Sequence, residues 1–162
     1  MKKNLYRSVT ILMFLLPILW CGFVLNRYAV NIPAYDDYDI ALKFIGQSKD
    51  AVSPDLFLEQ HSEHRLVVPR AVIFLLYSIN GKVDFRILAI LASVSLIFLM
   101  IIVWQELRDE SYRFWYFIPV PFLILCPLNW KNFVWVTSGL QNLGVIFLAF
   151  AAFYLIESSR FF

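Results

Sequence analysis

The run Ala34-Tyr35-Asp36-Asp37-Tyr38-Asp39 sets three carboxylates within four positions. Like charges crowded this closely favour proton uptake by one of the group, the property of a general base. The same aspartates also suit a solvated loop or a helix start, where Asp caps the first turn and complements the helix dipole. Spacing alone leaves both readings open. A second run, His61-Ser62-Glu63-His64-Arg65, leads through Pro69-Arg70 into a short apolar stretch. On a helix, His61, His64 and Arg65 would share one face. The run does not match the zinc pattern of two His four positions apart with Glu after the first, so a divalent ion held by His and Asp is the minor reading. Arg65 and Arg70, with His64, better suit a lipid phosphate, since guanidinium offers a planar fork of donors. Arginines anchoring an interfacial helix to headgroups are the alternative.

A third run, Asn129-Trp130-Lys131-Asn132-Phe133-Val134-Trp135, is followed by Ser138-Gly139-Leu140-Gln141-Asn142. Trp130 and Trp135 are natural membrane-interface anchors. Anchoring does not account for Asn132, Gln141 and Asn142; amides at that depth bond to another helix or line a cavity.

These runs must be positioned by membrane helices. Of the 162 residues, 60% are hydrophobic, 18% aromatic and only 16% charged. A water-soluble domain of this size cannot hide that much apolar surface, and the same composition excludes intrinsic disorder. A net charge of +2, from 14 basic and 12 acidic residues, gives no footprint for a nucleic-acid partner. Four stretches are free of charge: 8–26, 87–105, 114–130 and 137–156. Each falls in the range of roughly 17–25 residues that crosses a bilayer as a helix. The third carries Pro119, Pro121 and Pro127 and is expected to kink. Met1-Lys2-Lys3 before the first stretch has the look of a signal peptide, but no small-x-small cleavage site follows, and Trp20 precedes Cys21 where lipoprotein processing wants a small residue. An uncleaved first span is expected. Cys21 and Cys126 lie in apolar runs and read as small hydrophobes.

The stretch 66–79 contains Arg70 and has only about 14 residues, which suits an interfacial helix rather than a span. The positive-inside rule does not separate these two topologies, so length decides. The expected fold is therefore an all-α integral membrane protein of four transmembrane helices with both termini cytoplasmic. A long first external loop, 27–86, carries interfacial helices and holds eight of the 12 acids.

The order of these parts resembles the N-terminal module of the GT-C class of membrane glycosyltransferases, which includes protein O-mannosyltransferases and the aminoarabinose transferases that modify lipid A. That class places an external acidic pair after its first span, then a surface helix opening with a His- or Pro-containing motif, then a Gly-x-x-x-x-Arg type link into the second span. The corresponding pieces here are Asp36-Asp37, His61 to Arg65 with Pro69-Arg70, and Gly81-Lys82-Val83-Asp84-Phe85-Arg86. The Glu63-His64-Arg65 form, with Asn132-Phe133-Val134-Trp135 and Gln141, is closest to an uncharacterised bacterial branch. The similarity covers roughly residues 8 to 145.

The resemblance implies sugar transfer from a polyprenyl-phosphate donor in membrane lipid to an acceptor hydroxyl on the external face of a bacterial inner membrane. It assigns the general base to Asp36 or Asp37 and neutralisation of the departing phosphate to His64, Arg65 and Arg70. It gives His61, Glu63, Asn132, Trp135 and Gln141 a place in the substrate wall and requires no metal or other cofactor. Two departures stand. Members generally have many more spans than four, which implies a truncated or split enzyme completed by a second polypeptide. The loop after the third span offers Asn132 and Gln141 where some relatives carry an extra acid. The rival reading is a small non-catalytic four-span protein that flips or handles lipid-linked sugars, or an accessory subunit; the long first loop argues against it.

Overall fold

In a computed structural model of the protein, residues 2–50, 53–61, 64–107 and 113–158 are described. The helix α1 (Lys2–Tyr28) leads into a π-helical turn, Tyr38–Lys43, continued by α2 (Phe44–Asp50). The helix α3 (Pro54–Leu58) is followed by the two-residue strands β1 (Gln60–His61) and β2 (His64–Arg65), and then by α4 (Val67–Asn80). Next come α5 (Phe85–Glu106), α6 (Arg113–Phe117), α7 (Pro119–Ile124), a 3-10 turn at Pro127–Asn129, α8 (Trp130–Val134) and α9 (Val136–Ser158).

Four stretches are long and apolar enough to cross a membrane: Ile11–Tyr28, Phe85–Glu106, Trp115–Val134 and Val136–Glu157. The protein is thus an all-α integral membrane protein with four spans, since a helix satisfies its backbone polar groups without water. The third span is more broken than the single kink its prolines suggested. Pro119 and Pro121 fall in the first turn of α7, where a missing N–H leaves no intrahelical bond unmade, and Pro127 opens the 3-10 turn. Pro119 and Pro127 therefore each start a new helical piece.

The helix α4 has 14 residues and is about 21 Å long, well short of a hydrocarbon core of about 30 Å. One face, Pro69, Arg70 and Ile73, is buried against the protein, and the other, Val68, Leu75 and Ile79, is apolar and exposed. An exposed apolar face on a helix too short to span fits a helix lying at the membrane interface. It ends at Gly81, whose φ of 68° closes the left-handed cap and whose N–H donates to the Tyr77 carbonyl at 2.7 Å. Asp84 then caps α5, its Oδ1 accepting from the Ile87 N–H at 3.0 Å.

The helical reading of His61 to Arg65 is not what forms. Gln60 pairs with Arg65 and His61 with His64 in an antiparallel register. The physical reason is Arg70, which takes up carbonyls at the end of α3 and so stops that helix before His61. Its Nη1 donates to Leu56 O at 2.9 Å, to Glu59 O at 2.5 Å and, at 3.4 Å, to Phe57 O.

Three of the span ends meet at one membrane face. Arg86 Nη2 donates to Asn26 Oδ1 at 3.3 Å, and the Phe85 N–H donates to Asn31 Oδ1 at 2.8 Å, which joins the end of α1 to the start of α5. The connecting segment rests on the starts of α5 and α9 through Ile40, Phe44, Leu66 and Ile73, packed with Leu88, Ala92, Val136 and Leu140. A second core within the spans gathers Cys21, Leu96, Leu99, Phe117, Phe133 and Leu143.

Candidate functional site

The three carboxylates of the first run have unlike surroundings. Asp37 is 1% exposed. Its Oδ1 accepts from the Thr137 N–H at 2.9 Å and from Thr137 Oγ1 at 2.5 Å, across 100 residues of chain. Its Oδ2 accepts from the Ala34 N–H at 3.0 Å, while the Asp37 N–H donates back to the Ala34 carbonyl at 3.0 Å. Asp37 therefore closes the 34–37 turn and supplies an anion to the first turn of α9, where helix N–H groups lack internal partners. Asp36 and Asp39 are exposed. Tyr35, between the fixed ends of this turn, has φ of 52°, a conformation uncommon for a bulky residue, and its ring lies 4.8 Å from that of Trp135.

The two arginines also divide. Arg70 is 4% exposed and is held by the carbonyls of 56–59, by Glu59 Oε2 at 3.9 Å and by the Phe44 ring, 5.8 Å from its guanidinium carbon. It closes a cluster in which Phe44, Phe57 and Phe74 meet edge to face at 5.2–6.4 Å. Among the described residues its Nε has no partner. Arg65 is exposed and lines a cleft of about 680 Å³ between the start of α4 and α9. Gln141 and Asn142 face it across that cleft, and Val68, Pro69, Val145 and Ile146 form the apolar part of its wall. On α9 the polar pair lies one turn before the apolar pair, so one helix face changes from amide to hydrocarbon with depth. The wall offers charge and hydrogen bonds at one end and hydrocarbon at the other.

Asp37 ties the acidic turn to this same end of α9. Thr137 and Gln141 lie four residues apart on one helix face, about 6 Å along the axis. Asn132 is placed otherwise: its Oδ1 accepts from Ser138 Oγ at 2.5 Å and from Asn142 Nδ2 at 3.1 Å, bracing α8 against α9. Of the three amides singled out in the sequence, Asn132 thus ties two helices, Gln141 lines a cavity and Asn142 does both. Trp135 is half-buried against Tyr35, and among the described residues its Nε1 has no partner.

His61 and Arg70 lie in a different, smaller cavity of about 270 Å³, with Asp39, Lys43, Glu59 and Gln60. Glu63 and the side chain of His64 lie outside the described residues. Among the described residues, no group of three or more His, Cys, Asp or Glu is arranged to hold a metal ion. Sequence reasoning missed Thr137 as the partner of Asp37 and Val145 and Ile146 as the apolar wall. The i, i+4 spacing of Gln141 with Val145 was the available signal for the wall; nothing local announces Thr137.

The close fit of α8 on α9 depends on Gly139. A Cβ there would stand 2.5 Å from the Asn132 backbone oxygen and 3.2 Å from Ala92 Cβ. Gly139→Ala is expected to destabilise the protein by about 1–3 kcal/mol, because the obstructing atom is backbone and cannot rotate away. Thermal unfolding in detergent reads this directly, and an unchanged midpoint would show that the helices do not approach this closely.

No family model, curated protein or solved structure matches the chain.

Proposed function

We propose that the protein binds a polyprenyl-phosphate sugar in the cleft between α4 and α9 and takes part in transferring that sugar to an acceptor hydroxyl. The observation that carries this reading is what walls the cleft on its two sides: Arg65 and Val68 facing Gln141, Asn142, Val145 and Ile146. A ligand with an anionic head, hydroxyls and a hydrocarbon chain matches such a cleft in all three respects. In this reading the segment between the first two spans faces outward, on the external side of a bacterial inner membrane, and both chain ends face the cytoplasm.

Asp36, exposed and free of the bonds that hold its neighbour, accepts the proton of the acceptor hydroxyl. The hydroxyl oxygen attacks the anomeric carbon, the bond from that carbon to the phosphate oxygen breaks, and configuration inverts. Arg65 neutralises the charge left on the departing polyprenyl phosphate, an electrostatic role with its main effect as charge develops. Further spans from a second polypeptide would complete the lipid path in this scheme.

Binding of a polyprenyl-phosphate sugar to the detergent-purified protein tests the cleft. Arg65→Ala is expected to weaken binding about tenfold or more, the loss typical of a hydrogen-bonded charged partner. Gln141→Leu, which keeps volume and removes the amide, is expected to weaken it less. Undiminished binding by Arg65→Ala would remove the cleft from consideration.

A further inference from the structure

The helices α1 and α5 are joined at their ends by Arg86 and Asn26, but their middles lean on different partners: α1 on α7 and α8, α5 chiefly on α9. Between them lies a groove of about 560 Å³ inside the membrane-spanning part of the molecule. Its sides are hydrocarbon, from Ile18 and Leu25 on α1 to Val94 and Ile97 on α5. The Ser93 hydroxyl, also in the wall, already donates to the Ala89 carbonyl at 3.0 Å, so it offers no proton to an occupant.

The groove has a closed end and a charged mouth. Phe14, Phe117 and Trp104 form the closed end, with ring centroids 5.8 Å and 5.1 Å apart in sequence of contact. From Phe14 to Leu25 the wall of α1 rises about 16 Å, roughly half of a hydrocarbon core and so the depth of one leaflet. Above Leu25 comes Asn26, with Arg86 bonded to it from the facing helix, one turn above the lining residue Ile90. Lys82 lies in the turn leading into α5. The acid of this turn, Asp84, is engaged in capping Ile87. The mouth is therefore cationic at headgroup depth, where each Lys or Arg attracts anionic lipid.

We propose that this groove is a binding site for one acyl chain of an anionic glycerophospholipid, with its phosphate at Arg86. The depth selects an acyl chain over the longer polyprenyl chain, which would have to leave the groove at its aromatic end. The site shares no lining residue with the cleft between α4 and α9, so it stands or falls independently of the proposed function.

Native mass spectrometry of the detergent-purified chain with added phosphatidylglycerol tests it. Wild type is expected to hold one lipid per chain, with at least tenfold weaker binding of phosphatidylcholine carrying the same acyl chains. Gly22→Leu fills the groove: a Cβ at Gly22 meets nothing within 4 Å, and leucine favours the helix, so folding is preserved. It is expected to weaken retention at least tenfold, as is Val94→Phe from the opposite wall. Arg86→Gln is expected to weaken it about fivefold, whereas Leu19→Ala, on the outer face of α1, leaves it unchanged. Equal binding of the two headgroups, which needs no variant to measure, overturns the proposal, as does full retention by a folded Gly22→Leu chain. Preferential binding of polyprenyl phosphate in this groove also overturns it.

Discussion

Asp36→Asn is expected to lower sugar transfer by about 10²–10⁴-fold with thermal unfolding unchanged, whereas Asp37→Ala is expected to unfold the protein more readily. The two residues are adjacent in sequence and opposite in surroundings. Asp36 is exposed, so losing its charge disturbs no packing, and the expected loss is that of a general base. Asp37 accepts from Thr137 N, Thr137 Oγ1 and Ala34 N, and alanine would leave those donors without their acceptor. Hydrogen bonds to a buried charge are worth about 1.5–3 kcal/mol each and are not additive, so a total of about 3–5 kcal/mol is expected. Asp37→Asn should cost less, since one oxygen remains for Thr137 while the amide nitrogen opposes the Ala34 N–H. Transfer assays and thermal unfolding on the same samples separate the two roles. Full transfer by Asp36→Asn would sink the general-base assignment, and an unaltered midpoint for Asp37→Ala would sink the structural one.

The arginines give the second large contrast. Arg70→Met is expected to cost about 3 kcal/mol and to expose 56–66 to limited proteolysis, while Arg65→Met stays within about 0.5 kcal/mol of wild type. Of the two arginines, it is Arg70 that bonds carbonyls on either side of the α3 terminus and covers the Phe44 face; methionine fills the space and removes that donor. Arg70→Lys should recover only a part of the loss, because an ammonium cannot hold a spread of carbonyls as a planar fork does. Glu59, with 54% of its side chain exposed, adds little to the clamp, and Glu59→Gln is not expected to reproduce the effect. Proteolysis that starts equally early in the Arg65 and Arg70 variants would show that the hairpin is not held from below.

The class of molecule was legible in residues 8–26, 87–105, 114–130 and 137–156 alone, because lipid solvation acts on composition averaged over some twenty residues and needs no knowledge of partners. That α4 is too short to span was legible in its length by the same reasoning. The prolines of the third span announced a disturbance, and its form, a series of short helical pieces, follows from where each ring falls in a turn. The chemistry-bearing runs were visible as runs, but the role of each member was not. Adjacent side chains leave the backbone in different directions, so the choice between Asp36 and Asp37 depends on where Thr137 lies, 100 residues away. The choice between Arg65 and Arg70 depends likewise on the end of α3, and the pairing of His61 with His64 on a helix being stopped by a side chain from the next one. Composition thus determined that this chain lives in a membrane and crosses it four times; tertiary contacts alone decided which charges are bound into the frame and which remain available to a ligand.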